Sequence, residues 1–243
     1  LNFSSYYARR ASRRQSGTIS PKVATSIQRY SLSHQSFQQM CHGVTSSTNL
    51  AYLAFPHCGI NSADNGSGTR VELTIASTSL AEFHSYSNHH QVVDMNGNTN
   101  LKIYIQQRSN ANGIGGTSAQ KGVSGKFTGC TALNRLDLYN SGIVADIGTV
   151  YQNLPALNYI EARYSGISGE FRDNSFTGSP SMQTILLAGS GHSGTDFFGT
   201  AASSTNGTVF HNTPDIRNVY AYSNKNIRGT LPDFSLSEQL RVV

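Results

Sequence analysis

Two carboxylates in the second half of the chain have a spacing that glycan-cleaving chemistry could use. Asp137 and Glu161 stand at equivalent places in two copies of a sequence repeat. If those copies form adjacent strands about 4.8 Å apart, the two acids become neighbours. Glycosidases work with a pair of acids about 5–10 Å apart. The plainer interpretation, which we favour, is a pair of exposed residues on a sheet, so we do not expect an enzyme.

A second set of chemical groups consists of two dipeptides, Cys41-His42 and His57-Cys58. A zinc ion needs four converging nitrogen or sulfur ligands, and neighbouring residues of one dipeptide rarely converge without strain. We therefore expect buried cysteines here, with no metal and no cofactor. Three further histidines lie in a polar strand-and-turn stretch and are expected to be exposed: His84, His89 and His90.

The N-terminal arm carries most of the charge. The first 63 residues contain six basic side chains and no acidic one, and the whole chain has a formal net charge of +5. Such an arm can contact nucleic-acid phosphates, an acidic protein or membrane surface, or nothing at all. We favour docking onto another protein subunit, because the body is nearly neutral and few aromatic residues accompany the arginines. We do not expect nucleic acid.

The segment after the arm has the pattern of an amphipathic helix. Ser20-Pro21 resembles an N-cap followed by proline at the first helical position, and apolar residues follow at alternating spacings of four and three up to Cys41. The pattern predicts a helix of about 20 residues. Residues 1–41 would then anchor the chain through the following side chains: Arg9, Arg10, Arg13, Arg14, Ile27, Tyr30 and Phe37.

A mixed β-rich region is predicted to follow over residues 42–94 and to cap the second half of the chain. Short runs of β-branched, aromatic and other apolar residues, separated by Asn- and Gly-rich turns, indicate the strands. The predicted strands in and just after this region are Val71–Ile75, Leu80–Tyr86, Val92–Met95 and Leu101–Ile105.

Internal repeats organise residues 95–243. The segment Phe127–Leu133 (FTGCTAL) recurs as Phe176–Met182 (FTGSPSM), and three weaker copies begin at Tyr151, Phe210 and Phe234. In all five copies an aromatic residue stands six positions before an aliphatic one, and the aromatics are 24, 25, 34 and 24 residues apart. One coil cannot bury its apolar face alone, so this periodicity predicts a solenoid of stacked coils.

The repeats resemble the leucine-rich repeat family. The frame from Leu157 to Phe171 follows the plant-like pattern LxxLxLxxNxLxGxI, and FTGCTAL is similar to the FxxCxxL of the BspA-like subclass. Serine replaces the usual asparagine eight residues after the leading leucine. The resemblance implies a β-rich solenoid with one short parallel strand per coil. The stretch from Leu50 to Asn61 fits the same frame once, which suggests a further coil upstream.

In leucine-rich repeat proteins, the concave face of the sheet usually binds the ligand, so the resemblance also points to a site. The strand positions expected there are rich in tyrosine and arginine, which are enriched at binding hot spots. The alternative is that a β-surface simply favours tyrosine. The residues concerned are Arg135, Asp137, Tyr139, Tyr159, Glu161, Arg163, Tyr164, Arg217, Tyr220 and Tyr222.

Composition points to a non-enzymatic structural or adhesive role. Only 37% of the residues are apolar and 13% charged, and no apolar run approaches the length of a membrane span. The chain resembles repeat-containing virion structural proteins of tailed marine (cyanobacterial) phages. We therefore expect a tail or surface-appendage protein that presents the solenoid to other structural subunits, a host receptor or a glycan. The alternatives are a secreted or cell-surface leucine-rich repeat adhesin and a glycan-degrading appendage enzyme.

The ends of the sequence suggest a fragment or processed product. The chain begins at Leu1 without an initiating methionine, and Val243 falls inside an apparent repeat.

Overall fold

A computed structural model describes the parts of the chain that form the coils. The described residues are 29–31, 49–56, 75, 77–87, 92–108, 126–141, 144–146, 151–168, 175–187, 210, 212–223 and 234–241. Within these residues, no helix has the length and apolar character needed to cross a bilayer.

The described residues form ten strands in two parallel sheets. The eight-stranded sheet has the order β1-β2-β3-β4-β5-β7-β9-β10, and the second sheet pairs β6 with β8. Every one of these pairings is parallel. The strands are β1 (Arg29–Ser31), β2 (Tyr52–Pro56), β3 (Glu82–Tyr86), β4 (Ile103–Gln107), β5 (Arg135–Asp137), β6 (Val144–Asp146), β7 (Tyr159–Glu161), β8 (Gly166–Ser168), β9 (Thr184–Leu186) and β10 (Asn218–Tyr220).

The large sheet confirms a β-rich solenoid in which the repeats that open at Phe127, Tyr151, Phe176 and Phe210 each contribute one strand to that sheet. The middle residues of β5, β7, β9 and β10 are in register with one another and are fully buried. They form one row of the core: Leu136, Ile160, Ile185 and Val219. The single frame match from Leu50 is also a coil, because β2 pairs in parallel with β3.

An aromatic stack lies on the other side of the core. Tyr151 stacks on Phe176, with ring centroids 6.1 Å apart, and Phe176 on Phe210, at 5.6 Å. Phe210 in turn stacks on Phe234 at 4.9 Å. The aromatics that open these repeats therefore pack successive coils together on the side away from the large sheet.

Two consecutive turns connect each aromatic to the leading aliphatic residue. In the first copy, the Cys130 N–H donates to the Phe127 carbonyl and the Leu133 N–H to the Cys130 carbonyl. In four coils the residue two positions after the opening residue has positive φ: Gly97 (75°), Gly129 (78°), Asn153 (58°) and Gly178 (74°). Glycine and asparagine are the residues that tolerate this conformation best.

Two small polar groups three residues after an opening residue connect neighbouring coils, whereas the Thr213 hydroxyl at that position donates to the Phe210 carbonyl of its own coil. The Ser179 hydroxyl donates to the Tyr151 carbonyl at 2.5 Å, and the Cys130 thiol donates to the Met95 carbonyl at 3.1 Å. Each therefore contacts the opening residue of the preceding coil. These bonds satisfy backbone groups that stacking removes from water.

The predicted small polar residue eight positions after the leading aliphatic also has a backbone partner. The Ser165 hydroxyl donates to the Ala162 carbonyl at 2.5 Å, and Ser165 and Ser141 are both buried. The expectation that this residue bonds backbone inside the coil is confirmed at Ser165.

Two predicted elements are wrong where the structure describes them. Inside the expected helix of residues 20–41, Arg29–Ser31 form strand β1 and pair in parallel with β2. At these residues, parallel pairing with β2 outweighs the helix-forming spacing of the apolar side chains. Val92, Val93 and Met95 are buried but form no strand. They lead into the turns before Leu101, and the Val93 N–H donates to the Tyr104 hydroxyl.

The predicted division into residues 1–41, 42–94 and 95–243 remains a prediction. The large sheet crosses both boundaries, because β1, β2 and β3 precede residue 95 and join β4 in the same sheet. Most of the predicted anchoring segment lies outside the described residues, including Arg9, Arg10, Arg13, Arg14, Ile27 and Phe37, and of Tyr30 only the backbone strand is described.

Candidate binding face of the long sheet

The first and third residues of each short strand define the outer face of the large sheet. Because side chains alternate along a strand, these residues lie opposite the buried middle row. The register aligns Arg135 with Tyr159 and Asp137 with Glu161. Thr184 and Asn218 continue the first row across β9 and β10. The register thus places five of the predicted face residues in two adjacent rows: Arg135, Asp137, Tyr159, Glu161 and Tyr220.

Arg135 and Asp137 form an ion pair within β5. The Arg135 Nη2 donates to Asp137 Oδ2 at 2.7 Å, and Asp137 Oδ1 accepts a bond from the Tyr139 N–H at 3.3 Å. The Asp137 side chain is 1% exposed, whereas that of Arg135 is 40% exposed. The arginine therefore covers the carboxylate and remains at the surface, with its guanidinium carbon 4.6 Å from the Tyr159 ring centre.

Arg163 and Glu161 form a second and tighter pair in the next coil. Arg163 Nε lies 2.8 Å from Glu161 Oε1, and Nη2 lies 2.6 Å from Oε2. This two-pronged geometry is the strongest that arginine and a carboxylate form. The hydrogen bonds to Glu161 raise the pKa of Arg163 above its ordinary value. The Arg163 guanidinium also lies 5.6 Å from the Tyr139 ring centre.

The expectation that Asp137 and Glu161 are exposed is wrong. They are neighbours in the register, as predicted, but both are buried, at 0% and 3% exposure. Each accepts bonds from an arginine two residues away and from a backbone N–H. These contacts keep the buried charges satisfied. The arrangement gives the two acids a structural role under the arginines.

Tyrosine rings surround the two arginines. Tyr139 and Tyr164 meet edge to face with centroids 5.7 Å apart, and Tyr220 and Tyr222 do so at 6.5 Å. Tyr164 and Tyr222 are 52% and 57% exposed. The tyrosines therefore offer ring faces and edges to solvent while the arginines between them are held in place.

Arg217, a predicted face residue, lies one residue before β10, outside the two rows that define the outer face. It is half-buried, and its Nε has no hydrogen-bond partner in the part of the chain that the structure describes. Beside it, the Asn218 amide donates to the Thr184 hydroxyl at 3.2 Å. The Arg135 Nε also has no partner there, but Arg135 and Arg163 each have an ion pair, and among the described residues Arg217 has none.

A cluster upstream on the same face was not predicted as part of the site. His84 Nε2 lies 3.2 Å from Glu82 Oε2, and its Nδ1 lies 3.4 Å from the Tyr86 hydroxyl. The Tyr52 ring is 5.3 Å from the His84 ring. Burial lowers the pKa of His84, although Glu82 opposes that shift. The alternation of Glu82, His84 and Tyr86 along one strand would have indicated this cluster.

Arginine and carboxylate stand two residues apart in both downstream pairs, and this spacing could have predicted their contact. Residues i and i+2 of a strand share one face, so Arg135-Leu136-Asp137 and Glu161-Ala162-Arg163 each place opposite charges side by side. The spacing alone does not reveal that the acid is the buried partner. That follows from the longer arginine side chain, which folds over the acid.

The predicted Cys/His set lies outside the described residues, because neither dipeptide, Cys41-His42 nor His57-Cys58, is described. Among the residues that are described, no three His, Cys, Asp or Glu side chains are close enough together to hold a metal ion.

The fold and the outer face together are consistent with a leucine-rich repeat solenoid, in which one parallel strand per repeat builds a continuous sheet. No known protein family and no curated protein matches the chain. A solved structure to which it is similar is an internalin of Listeria monocytogenes, with a TM-score of 0.41 and 13% identity over 93% of this chain and 68% of that one.

Proposed function

We propose that this protein is a non-enzymatic binding module whose outer sheet face contacts a partner. The observation that carries the proposal is the downstream half of that face, where two arginines are fixed by buried carboxylates and flanked by tyrosine rings. Tyrosine and arginine dominate binding hot spots. Fixing them before the partner arrives lowers the entropy lost on binding.

The charge balance of the face argues against nucleic acid as the partner. Arg135 and Arg163 are each neutralised by a carboxylate within hydrogen-bonding distance. Nucleic-acid affinity comes mainly from basic groups that displace counterions from phosphates. A patch in which these two arginines are already paired favours an uncharged partner, such as a protein surface or a glycan.

A cross-linking experiment tests whether the outer face is the binding surface. A photoreactive phenylalanine analogue replaces Thr184, which lies on that face, or Thr177, which lies in the exposed turn after Phe176. Both proteins are irradiated in the native source material. We expect one defined adduct from position 184 and none from 177. Equal labelling from both positions would contradict the proposal.

We further propose that the solenoid is displayed on a virion tail or surface appendage, where the basic N-terminal arm docks onto other structural subunits. The low charge content and the wealth of serine, threonine and asparagine support this location. The alternative is a secreted or cell-surface adhesin. Mass spectrometry and imaging of purified particles distinguish the two: a stoichiometric component of a particle supports the virion, and a free or cell-bound protein supports the adhesin.

A further inference from the structure

One backbone position of each coil is left-handed, and Tyr164 is the unusual residue found there. Seven residues after the leading aliphatic, φ is positive in five described coils. The residues at this position are Ser87 (53°), Arg108 (50°), Asn140 (49°), Tyr164 (55°) and Ser223 (60°). The N–H groups at 87, 108 and 140 each donate to a carbonyl of the next coil, so the bend ends the strand without breaking the ladder.

Tyrosine is a poor choice for this conformation. Left-handed φ and ψ bring Cβ close to the backbone of an L-residue, and asparagine is the non-glycine side chain that tolerates this best. Asn140 shows that the neighbouring coil uses it. Tyr164 therefore carries a conformational cost that an asparagine would reduce.

Packing does not explain why an aromatic residue stands there. Tyr164 is 52% exposed, and its ring meets that of Tyr139 edge to face on the outer face. The core rows beneath it are filled by Ile160 and Ala162, both fully buried. Strain at an exposed residue that contributes little to the core is typical of a functional position.

The surroundings of Tyr164 define the chemistry of its ligand. Arg163 next to it is paired with Glu161, so this arginine adds no unbalanced positive charge to the patch. In the part of the chain that the structure describes, the exposed large apolar side chains are Tyr164, Tyr222 and Leu236, and Leu236 lies in the turn after Phe234, away from this face. The patch therefore combines exposed aromatic rings with hydrogen-bonding groups, and an aliphatic side chain beside it on the outer face, Leu186, is only partly exposed.

We infer that Tyr164 is the anchor for a neutral carbohydrate chain lying across the outer face, an inference that rests on the proposed function. A sugar ring has an apolar C–H face that can pack on tyrosine, and its hydroxyls can bond the phenol and guanidinium groups around it. The arrangement matches ligand sites that combine apolar packing with a few placed polar groups. An anionic polysaccharide would need basic groups that are not already paired.

Affinity electrophoresis of the full chain tests the inference. The probes are native gels containing dextran, xylan or mixed-linkage β-glucan, which are neutral, and alginate, which is anionic. We expect at least one neutral polysaccharide to retard the wild-type protein. Tyr164→Asn should weaken that retardation at least tenfold in apparent Kd while raising the melting temperature. Tyr164→Phe, which keeps the ring, should retain most of the binding.

Ser87→Asn is the matched control, because Ser87 occupies the same left-handed position in the coil of β3. It should raise the melting temperature and leave retardation unchanged. A gain in stability from both asparagine variants, with loss of binding from only one, separates a ligand anchor from a merely strained residue.

The other outcomes overturn the inference in distinguishable ways. Equal retardation of the wild type and Tyr164→Asn removes Tyr164 as the anchor. Retardation by alginate alone removes the neutral ligand. No retardation by any polysaccharide, together with a protein adduct from position 184, removes the carbohydrate but leaves the proposed function standing. No retardation and no adduct would remove both.

Discussion

The coils around β3 and β4 differ from those around β5 and β7 in both pairing and interior. β3 pairs with β4 over five residues, whereas β5 pairs with β7 over three. Five residues after the leading aliphatic, the interior of the upstream coils holds polar side chains and that of the downstream coils holds apolar ones. These residues are Ser85 and Gln106 upstream, and Leu138, Ala162 and Leu187 downstream.

The two regions therefore satisfy buried groups in different places. Upstream, the Tyr104 hydroxyl donates to Gln106 Oε1 at 2.6 Å inside the core and accepts a bond from the Val93 N–H. Downstream, the buried polar groups are instead two carboxylates on the outer face, which lie under Arg135 and Arg163. The same repeat therefore accommodates buried polar side chains in the coils with five-residue strands. The coils that carry the candidate site have three-residue strands and an apolar interior.

The largest expected effect comes from filling a tight turn. Gly178 has φ +74°, and a Cβ there would lie 2.8 Å from Asn153 Oδ1 and 3.0 Å from Asn153 Cα. Gly178→Ala should cost about 2–4 kcal/mol of unfolding free energy, from left-handed strain and crowding together. Gly97 has φ +75° with nothing within 4 Å of a Cβ, so Gly97→Ala should cost only about 1–2 kcal/mol. Urea unfolding of both variants measures the difference, and equal losses would show that the downstream turns are not packed more tightly.

Two buried tyrosines should respond to the same substitution with opposite signs. Tyr104→Phe removes a hydroxyl with two partners and should cost about 1–3 kcal/mol. The Tyr151 hydroxyl is buried without a partner among the described residues, so Tyr151→Phe should stabilise the fold by about 1 kcal/mol. Thermal unfolding of the two variants in parallel is the measurement. A loss of stability in Tyr151→Phe would mean that its hydroxyl has a role that the downstream packing does not reveal.

The charge pairs of the downstream face should contribute to stability and not to hydrolysis. Glu161→Gln keeps the shape of the side chain but removes the charge beneath Arg163, and should cost about 1 kcal/mol because the arginine is partly exposed to solvent. Asp137→Asn is the matched change in the neighbouring coil. Reducing-sugar release from the neutral polysaccharides should be absent in the wild type and both variants. Hydrolysis by the wild type that either variant abolishes would establish the enzymatic alternative.

The smallest effect concerns the upstream histidine. Burial lowers the pKa of His84 below 6.5, although its contact with Glu82 opposes that shift. Among the more distant charges, Arg135 lowers this pKa and Asp137 raises it. The rings of Tyr52 and Tyr86 lie against the imidazole. The unfolded chain then binds more protons than the folded one, so stability is full above pH 6.5 and falls as the pH drops towards the folded value. The melting temperature should decrease slightly from pH 7.5 to 5.5. In His84→Gln that decrease should shrink, and an unchanged decrease would assign it to other groups.

Sequence periodicity predicted most of the downstream fold. The spacing from each aromatic to its aliphatic residue places Phe127, Tyr151, Phe176 and Phe210 in the core, and all four are buried. The repeat works as a predictor because each coil must meet the same packing and hydrogen-bonding needs as the next. Upstream the frame was harder to read, since the opening position is held by Met95, which is not aromatic.

The errors arose where a local pattern competed with long-range pairing. Apolar residues spaced by three and four predicted a helix through Arg29–Ser31, but those residues extend the sheet beside β2. Residue types and spacing predicted that Asp137 and Glu161 are neighbours, as the register shows. They did not predict the burial of Asp137 and Glu161 or the left-handed backbone at Tyr164, because both depend on how one coil sits against another.

The side-chain bonds between coils also give the solenoid a direction. Cys130 and Ser179 each donate to the carbonyl of the opening residue one coil earlier, so a coil's backbone is completed by the coil that comes after it. A chain leaving the ribosome exposes its coils in that same order. Each new coil can therefore dock onto the preceding coil and donate the hydrogen bond that the preceding coil's carbonyl lacks. Folding can then advance from the N-terminal side as the chain is synthesised.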